Sequence, residues 1–316
     1  MARLSLQLAG YPWDHITPLL TGDVVPDGID LSYDVQRGLA PVASDEAYHG
    51  GEASLGRFMI ETSRGNRDFV GLPIFPMFQL RHRCFLVKRG TEIEDLAALE
   101  GKRIGIDGWP NSGNTWTRIV LQQAGVDIWN ITWVIAPVEG TPDAGHGNVP
   151  PDAPPNVEGG PPGKSLVDLL LAGEIDVLVA AFMPAGYFAP DSPIVPMIPD
   201  YRAAEIAYVR DHGYVPAHHL IKLRHEVVER DPWIVDSLAE AFAASKQLWI
   251  ERRRRYADTS PWLLDDLREA AAVFGDDWQP IGLEPNLQML TDFAEGQHSH
   301  QLVDAPVDPA QTFEIH

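Results

Sequence analysis

Four short stretches of this chain carry side chains able to hold an anion or move a proton. In QLRHRC, Gln79 to Cys84, two arginines flank a histidine. Read as the start of a strand, alternation sends Arg81 and Arg83 to one face and His82 to the other. A guanidinium offers a planar fork that matches a carboxylate. In SGNTWTRIVLQQAG, Ser112 to Gly125, Trp116 and Arg118 lie on a helix with a Ser/Gly/Asn entry and a Gly stop. The free N–H groups at such a helix start stabilise an anion. The plainer alternative makes Trp116 and Ile119 core and leaves Arg118 in water. In AHHL, Ala217 to Leu220, adjacent strand histidines point to opposite sides, so only one of His218 and His219 faces a given cleft. The last stretch is Asp14-His15, at a strand-to-helix junction where open α/β sheets bind ligands. Asp14 reads as a helix cap and His15 as a ligand-facing candidate. Imidazole suits proton transfer because its ordinary pKa lies near neutrality.

Metal chemistry is weakly signalled. No histidine pair has the i, i+4 helical spacing of a zinc protease, and there is no CxxC. A divalent metal would have to be gathered from scattered residues such as His15, His82 and His219. The sole cysteine, Cys84, has no partner for an internal disulfide and reads as a small buried hydrophobe. The basic run Arg252 to Arg255 ends a long helix, where cations suit the negative dipole end, and reads as a solvated face. The tail histidines 298, 300 and 316 read as turn and terminus.

The elements that must position these groups alternate. GKRIGID, Gly101 to Asp107, and GEIDVLVAA, Gly173 to Ala181, are short Val/Ile/Leu runs with turn-rich lead-ins. That is how buried parallel strands read when helices cover both faces of a sheet. One has a helix after it and the other a helix, SLVDLLLAGEI, before it. Strands are expected at Leu4–Tyr11, within Val25–Val35, at His82–Gly90, Ile131–Pro137 and Val215–Leu223. Phe69–Phe78 is strand-like, with prolines that argue against a central place. Helices are expected after Asp14, within Glu52–Gly65 and over Pro232–Tyr256. The span 138 to 164 is crowded with Pro and Gly and reads as a long loop. The result is an α/β fold of two lobes with mixed sheets, helices on both faces and a ligand cleft between them. Lobe one takes 1–88 and 200–316, lobe two 89–199.

Bulk composition narrows the partners. The chain has 316 residues, enough for two lobes with their own cores. Its formal charge of −21 argues against nucleic acid and anionic membranes, whose binding needs a basic face. No apolar run approaches the ~20 residues of a membrane span. The opening MARLSLQLAGYPWDH lacks the longer apolar core and cleavage site of a secretory signal, so a cytoplasmic protein is expected.

Several blocks, taken in order, resemble a known family. They are Ala9–Tyr33 (AGYPWDH through PDGIDLSY), Leu72–Cys84 (LPIFP through RHRC), GKRIGI with TWTRIVLQ and GVD, LAGEIDVLVAA, Ile198–Phe242 and Phe274–Asn286. Together they are similar to the 4,5-dihydroxyphthalate decarboxylase family, aromatic decarboxylases on the type II periplasmic-binding-protein fold. The resemblance covers most of the chain. It implies that Arg81-His82 match the family's Arg-His pair, that Trp116 and Arg118 match its Trp-x-Arg, and that His219 matches its strand histidine. Two departures stand out. His218 is an extra histidine. Where the family has Ser-Glu, this chain has SLGRF, Ser54 to Phe58, so a carboxylate is missing and Arg57 appears.

The resemblance implies a decarboxylase of a hydroxylated aromatic carboxylate. Arg118, with Arg57 or Arg81, would clamp a carboxylate. Ser54, Trp116 and His15 would complete the substrate site, and His82 or His219 would deliver the proton to the ring carbon. A phenol para to the carboxylate supplies the electron push, so no organic cofactor is required. The expected partner is a small aromatic carboxylate, and a homo-oligomer is compatible with this reading. The alternative is a non-enzymatic solute-binding protein of the ABC type for a small aromatic ligand, because fold does not fix function. A metal-dependent member with His and Asp ligands is the third reading.

Overall fold

The computed structural model describes residues 3–140, 147–275 and 277–313. His316 and residues 141–146 of the expected long loop lie outside the described residues. In chain order the strands are β1 (Leu4–Gly10), β2 (Ile29–Val35), β3 (Gly50–Ser54), β4 (Phe69–Phe78), β5 (Phe85–Lys88), β6 (Arg103–Ile106), β7 (Thr132–Ile135), β8 (Val157–Gly159), β9 (Val177–Val179), β10 (Ile194–Pro196) and β11 (Ala217–Arg224). The helices are α1 (Thr17–Leu20), α2 (Leu55–Ser63), α3 (Ser112–Gln123), α4 (Leu166–Ala172), α5 (Tyr201–His212), α6 (His225–Arg230), α7 (Ile234–Arg255), α8 (Leu263–Phe274), α9 (Leu287–Ser299) and α10 (Pro309–Thr312).

The chain forms two compact units. Unit one is Met1–Gln79, Tyr214–Ala294 and Pro306–His316; unit two is Leu80–Gly213 with Glu295–Ala305. The crossings therefore fall at 79/80 and 213/214 rather than at the expected 88/89 and 199/200. The reason is pairing: β5 belongs to the second sheet, and α5 packs on the turn that precedes β5. The short return of Glu295–Ala305 to unit two was not anticipated.

Unit one is built on a sheet of order β2-β1-β3-β11-β4. β1 runs parallel to β2 and β3, and β11 runs antiparallel to β3 and β4. β4 sits at the edge, as Pro73 and Pro76 require, since proline cannot donate to a ladder on both sides. One face is covered by α7, which buries Ile234, Val235, Leu238, Ala241 and Phe242 at helical spacing. Of these, Ile234, Val235, Leu238 and Phe242 pack with Leu6, Leu8, Ile29, Leu72 and Ile221 into one core.

Unit two carries a mixed sheet of order β10-β5-β9-β6-β7-β8. β6 pairs in parallel with β7 and β9, while β5 is antiparallel to β9 and β10. α4 shows why SLVDLLLAG is helical. Ser165 and Asp168 form a reciprocal capping box, and Gly173 ends the helix at a φ of 76°. The span 138 to 164 is not all loop: Val157–Gly159 adds β8 to the sheet edge, where Asn156 Nδ2 donates to the Ile131 carbonyl at 2.9 Å.

The expected strand over His82–Gly90 is shorter. His82–Cys84 form a single 3-10 turn, and only Phe85–Lys88 are extended. Strand alternation therefore does not apply to Arg81, His82 and Arg83. Arg81 is buried, while Arg83 is part-exposed and pairs with Glu205.

Candidate functional site

In unit one, β1 and β3 run in parallel, and β11 enters antiparallel beside β3. The carboxyl ends of β1 and β3 therefore meet the start of β11. Register places His219 directly opposite Ser54. Glu52, two residues earlier on the same strand face as Ser54, is fully buried.

Three groups converge on that carboxylate. His219 Nδ1 lies 2.5 Å from Glu52 Oε1. The Trp13 indole N–H donates to Oε1 at 3.0 Å and Oε2 at 3.1 Å, and the Tyr11 backbone N–H donates to Oε2 at 2.9 Å. A carboxylate only accepts, so Nδ1 carries the proton and Nε2 is the histidine nitrogen left for a ligand. The Tyr11 ring stacks on His219, centroids 5.8 Å apart at 22°. The His219 side chain keeps 14% of its surface exposed against 0% for Glu52. This is the arrangement of an oriented proton-transfer histidine backed by a buried acid.

Tyr33 adds a hydroxyl beside Glu52 that is buried without a hydrogen-bond partner. Burial first, and the Glu52 charge second, raise the Tyr33 pKa, so it stays a neutral donor. The same two causes raise that of Tyr11.

Ser54 caps α2, its hydroxyl accepting the Arg57 backbone N–H at 3.4 Å. Ser54 thus ends the Glu52 strand, and half-buried Arg57 lies in the first turn of α2 that follows it. His15 lies elsewhere in the unit, its ring edge-on to Trp249 at 6.1 Å. Burial first, then Lys246, lower its pKa to about 4. Its carbonyl accepts from Ser245 on α7 at 2.9 Å. A cavity of about 370 Å³ in unit one, lined by Phe58, Arg67, Phe69 and His225 among others, has neither Glu52 nor His219 in its wall.

The remaining expected residues belong to unit two. Arg81 Nε donates to Thr117 Oγ1 at 3.1 Å, between Trp116 and Arg118 on α3. Trp116 is fully buried, among the largest side chains in the core. Arg118 is also fully buried, not in water. Its guanidinium lies 3.8 Å from the Trp109 ring centroid, and Nη2 donates to the Trp109 carbonyl at 2.8 Å. Nε and Nη1 find no partner, and burial lowers its pKa to about 9. His82 packs edge-on to Tyr208 at 5.6 Å. Burial first, then Arg83 and His212, lower its pKa to about 4, which leaves it neutral at pH 7. Of the two histidines expected as proton donor, His219 is the one with a carboxylate partner.

The stretch Ser54–Phe58 holds no carboxylate, as its sequence reads. One stands just outside it: Glu52, two residues before Ser54, is the hub of the unit-one cluster. Its signal in the sequence was a lone acid in the small-residue run GGEAS, where a solvated loop glutamate would be the ordinary reading. The neighbouring histidines separate as strand geometry requires. His218 turns the other way and is buried, with Nε2 3.0 Å from the Gln79 carbonyl.

Among the described residues, no group of three or more His, Cys, Asp or Glu is arranged to hold a metal ion. No helix of the described residues is long and apolar enough to cross a membrane.

Comparison with known proteins follows the same line. No protein-family model matches the chain. A 4,5-dihydroxyphthalate decarboxylase of Comamonas testosteroni is 26% identical over 320 residues, covering 99% of this chain and 97% of its own length. The chain is similar throughout to 4,5-dihydroxyphthalate decarboxylases. A second, from Pseudomonas putida, is 28% identical over 58% of this chain and 73% of its own. Among solved structures, the periplasmic aliphatic sulphonate binding protein of Escherichia coli aligns with a TM-score of 0.57 at 12% identity, covering 98% of this chain and 97% of its own. The sulfonate-binding protein of Methylobacillus flagellatus gives 0.55 at 13%, covering 98% and 91%. These structures share the two-lobed α/β fold of periplasmic binding proteins.

Proposed function

We propose that this chain is a carboxy-lyase that removes CO2 from a hydroxylated aromatic carboxylate such as 4,5-dihydroxyphthalate. The observation that carries the reading is the Glu52–His219 pair at the carboxyl ends of β1 and β3, in a chain whose full-length relative bears that activity.

The chemistry is a substitution of CO2 by a proton. A phenol para to the carboxylate pushes electron density onto the ring carbon that bears it. The His219 imidazolium gives its Nε2 proton to that carbon, and a new C–H bond forms. The C–C bond to the carboxylate then breaks, its electron pair returns to the ring, and CO2 leaves. One proton is consumed per turnover, and water reloads the imidazole. Glu52 fixes the ring orientation through Nδ1 and stabilises the imidazolium between turnovers. Ser54, paired with His219 in the ladder, and Arg57, in the first turn of α2, are assigned to the substrate's second carboxylate. No organic cofactor enters these steps, and the single free cysteine suits a reducing compartment, the cytoplasm.

Purified protein incubated with 4,5-dihydroxyphthalate and a panel of hydroxybenzoates should release CO2. His219→Ala should lower kcat by about 100-fold or more, the usual contribution of a positioned acid. Thermal stabilisation by these acids without CO2 would instead make the chain a solute receptor. Near-wild-type turnover by His219→Ala would remove that residue from the mechanism.

A further inference from the structure

We propose that Trp13 is the positioning residue of the Glu52–His219 pair. Its indole N–H, shared by both oxygens of the buried carboxylate, holds the Glu52 plane so that Oε1 meets His219 Nδ1. The inference rests on the functional reading above for the reaction that the pair serves. All of its residues lie in unit one.

Burial creates the need for such a residue. Glu52 is 0% exposed, so its charge is cut off from bulk water and its lone pairs depend on protein donors. Oε1 is reached by His219 Nδ1 at 2.5 Å, and Oε2 by the Tyr11 backbone N–H at 2.9 Å. One bond per oxygen fixes a carboxylate poorly, because the terminal torsion of a glutamate is broad. The Trp13 indole adds a cross-tie, at 3.0 Å to Oε1 and 3.1 Å to Oε2. Among the described residues it is the one side chain besides His219 that donates to Glu52. Indole also suits the task chemically, since it donates and cannot accept. It orients the acid without offering a competing place for the proton that His219 carries.

The indole is itself held. Tyr11, Pro12 and Trp13 join the end of β1 to the 3-10 turn Asp14–Ile16. The Trp13 N–H donates to the Tyr11 carbonyl at 3.0 Å, and the Ile16 N–H to the Trp13 carbonyl at 3.0 Å. The turn is tied to α7, where the buried Ser245 hydroxyl donates to the His15 carbonyl at 2.9 Å and accepts from the Leu19 N–H at 3.3 Å. Half-buried Trp13 packs against the core that α7 shares with the sheet. One tight segment thus delivers two donors, the Tyr11 N–H and the Trp13 indole, to one carboxylate. The same segment backs the histidine. The Trp13 and Tyr11 rings stand 5.4 Å apart at 47°, and Tyr11 in turn stacks on His219.

The test removes the N–H and keeps a ring. Trp13→Phe does this with a smaller ring. Site-specific replacement of Trp13 by benzothienylalanine does it with the same bicycle, sulphur standing in for the N–H, and so keeps the packing if the phenylalanine variant folds poorly. kcat and KM are measured with 4,5-dihydroxyphthalate. The His219 ring is followed by heteronuclear NMR of histidine-labelled protein, its signals assigned through His219→Gln. Loss of the indole donor should lower kcat about ten- to hundredfold, the range for a small misplacement of a reacting group, with KM within about twofold. The Nδ1-protonated His219 of the wild type should give way to a mixture of both tautomers. A kcat within about twofold of wild type in the benzothienylalanine variant would overturn the proposal, as would a His219 still protonated at Nδ1 alone. Failure of the decarboxylase reading looks different: the wild type would release no CO2 from the hydroxylated acid, while the His219 tautomer would still depend on the Trp13 N–H. That result would keep the positioning role and strike the reaction.

Discussion

At the scale of single residues, the Glu52 cluster is crowded enough to make a glycine indispensable. A Cβ on Gly10 would stand 2.2 Å from Tyr33 Oη, 2.8 Å from Glu52 Oε2 and 2.9 Å from Glu52 Cβ. Gly10 therefore lets β1 pass beside the buried acid. Gly10→Ala should cost about 1–3 kcal/mol of stability, the usual range for overpacking, and should lower turnover by displacing Glu52. Tyr33→Phe acts in the opposite sense. It removes a buried hydroxyl that has no partner, so stability should hold or rise. It also clears the nearest obstruction to the new methyl group. Denaturant titrations of the two single variants and the double variant should show the Gly10→Ala cost shrinking by about 1 kcal/mol in the Tyr33→Phe background. Strict additivity would mean that Tyr33 is not what constrains the site.

At the scale of elements, the turn His82–Cys84 and helix α5 set a pH response. The groups facing the His82 ring are Arg83 on its own turn and Tyr208 and His212 on α5. Its folded pKa is depressed to about 4 from 6.5. Between those values the unfolded chain binds a proton that the folded chain does not, so stability falls as pH falls. The stabilisation is complete above about pH 6.5 and gone below about 4. Its size is at most about 3 kcal/mol. His82→Gln should flatten the loss of denaturation free energy between pH 7 and 4.5 by about 1–3 kcal/mol, and an unaltered slope would assign the acid sensitivity elsewhere. The same turn shows where sequence reading stops. Helices with caps and stops, such as α4 and α3, announce themselves through local chemistry. Edge strand β4 does so through its prolines, and β6 and β9 through apolar runs. The turn at 82–84 announces nothing. Three mixed residues before an apolar run fit a strand start as well as a turn, and only the pairing of Phe85 with Val179 decides where extension begins. Glu52 and His219 are 167 positions apart. Their meeting depends on β11 inserting between β3 and β4, a long-range pairing that no local pattern encodes. Arg118 was legible as a cation on a helix but not as a buried one, because its cover, Trp109, comes from the loop before that helix.

At the scale of the whole molecule, the chain shares a segment between its two units late in its course. α9 starts in unit one, and from Glu295 the chain counts with unit two. Within unit two this segment lies against α3. His300 Nε2 is 2.8 Å from Gln122 Oε1, and the Ser299 hydroxyl is 3.4 Å from the same oxygen. Gly296 makes the approach close enough, since a Cβ there would stand 2.4 Å from both Cγ1 and Cδ1 of Ile119. Two effects compete in Gly296→Ala. Helix propensity favours alanine by about 1 kcal/mol. The contact with a buried isoleucine opposes it by about 1–3 kcal/mol, and at this separation the contact wins. Each unit has its own core, so the damage should stay in unit two. Hydrogen exchange should show α3 and β6 losing protection in Gly296→Ala while β1 and β11 keep theirs. In an Ile119→Ala background, which removes both offending carbons, the same change should become neutral or stabilising. Equal loss of protection across β1, β11 and α3 would mean that the chain opens as a single cooperative body, with the late segment acting as a tie between the cores rather than as part of one of them.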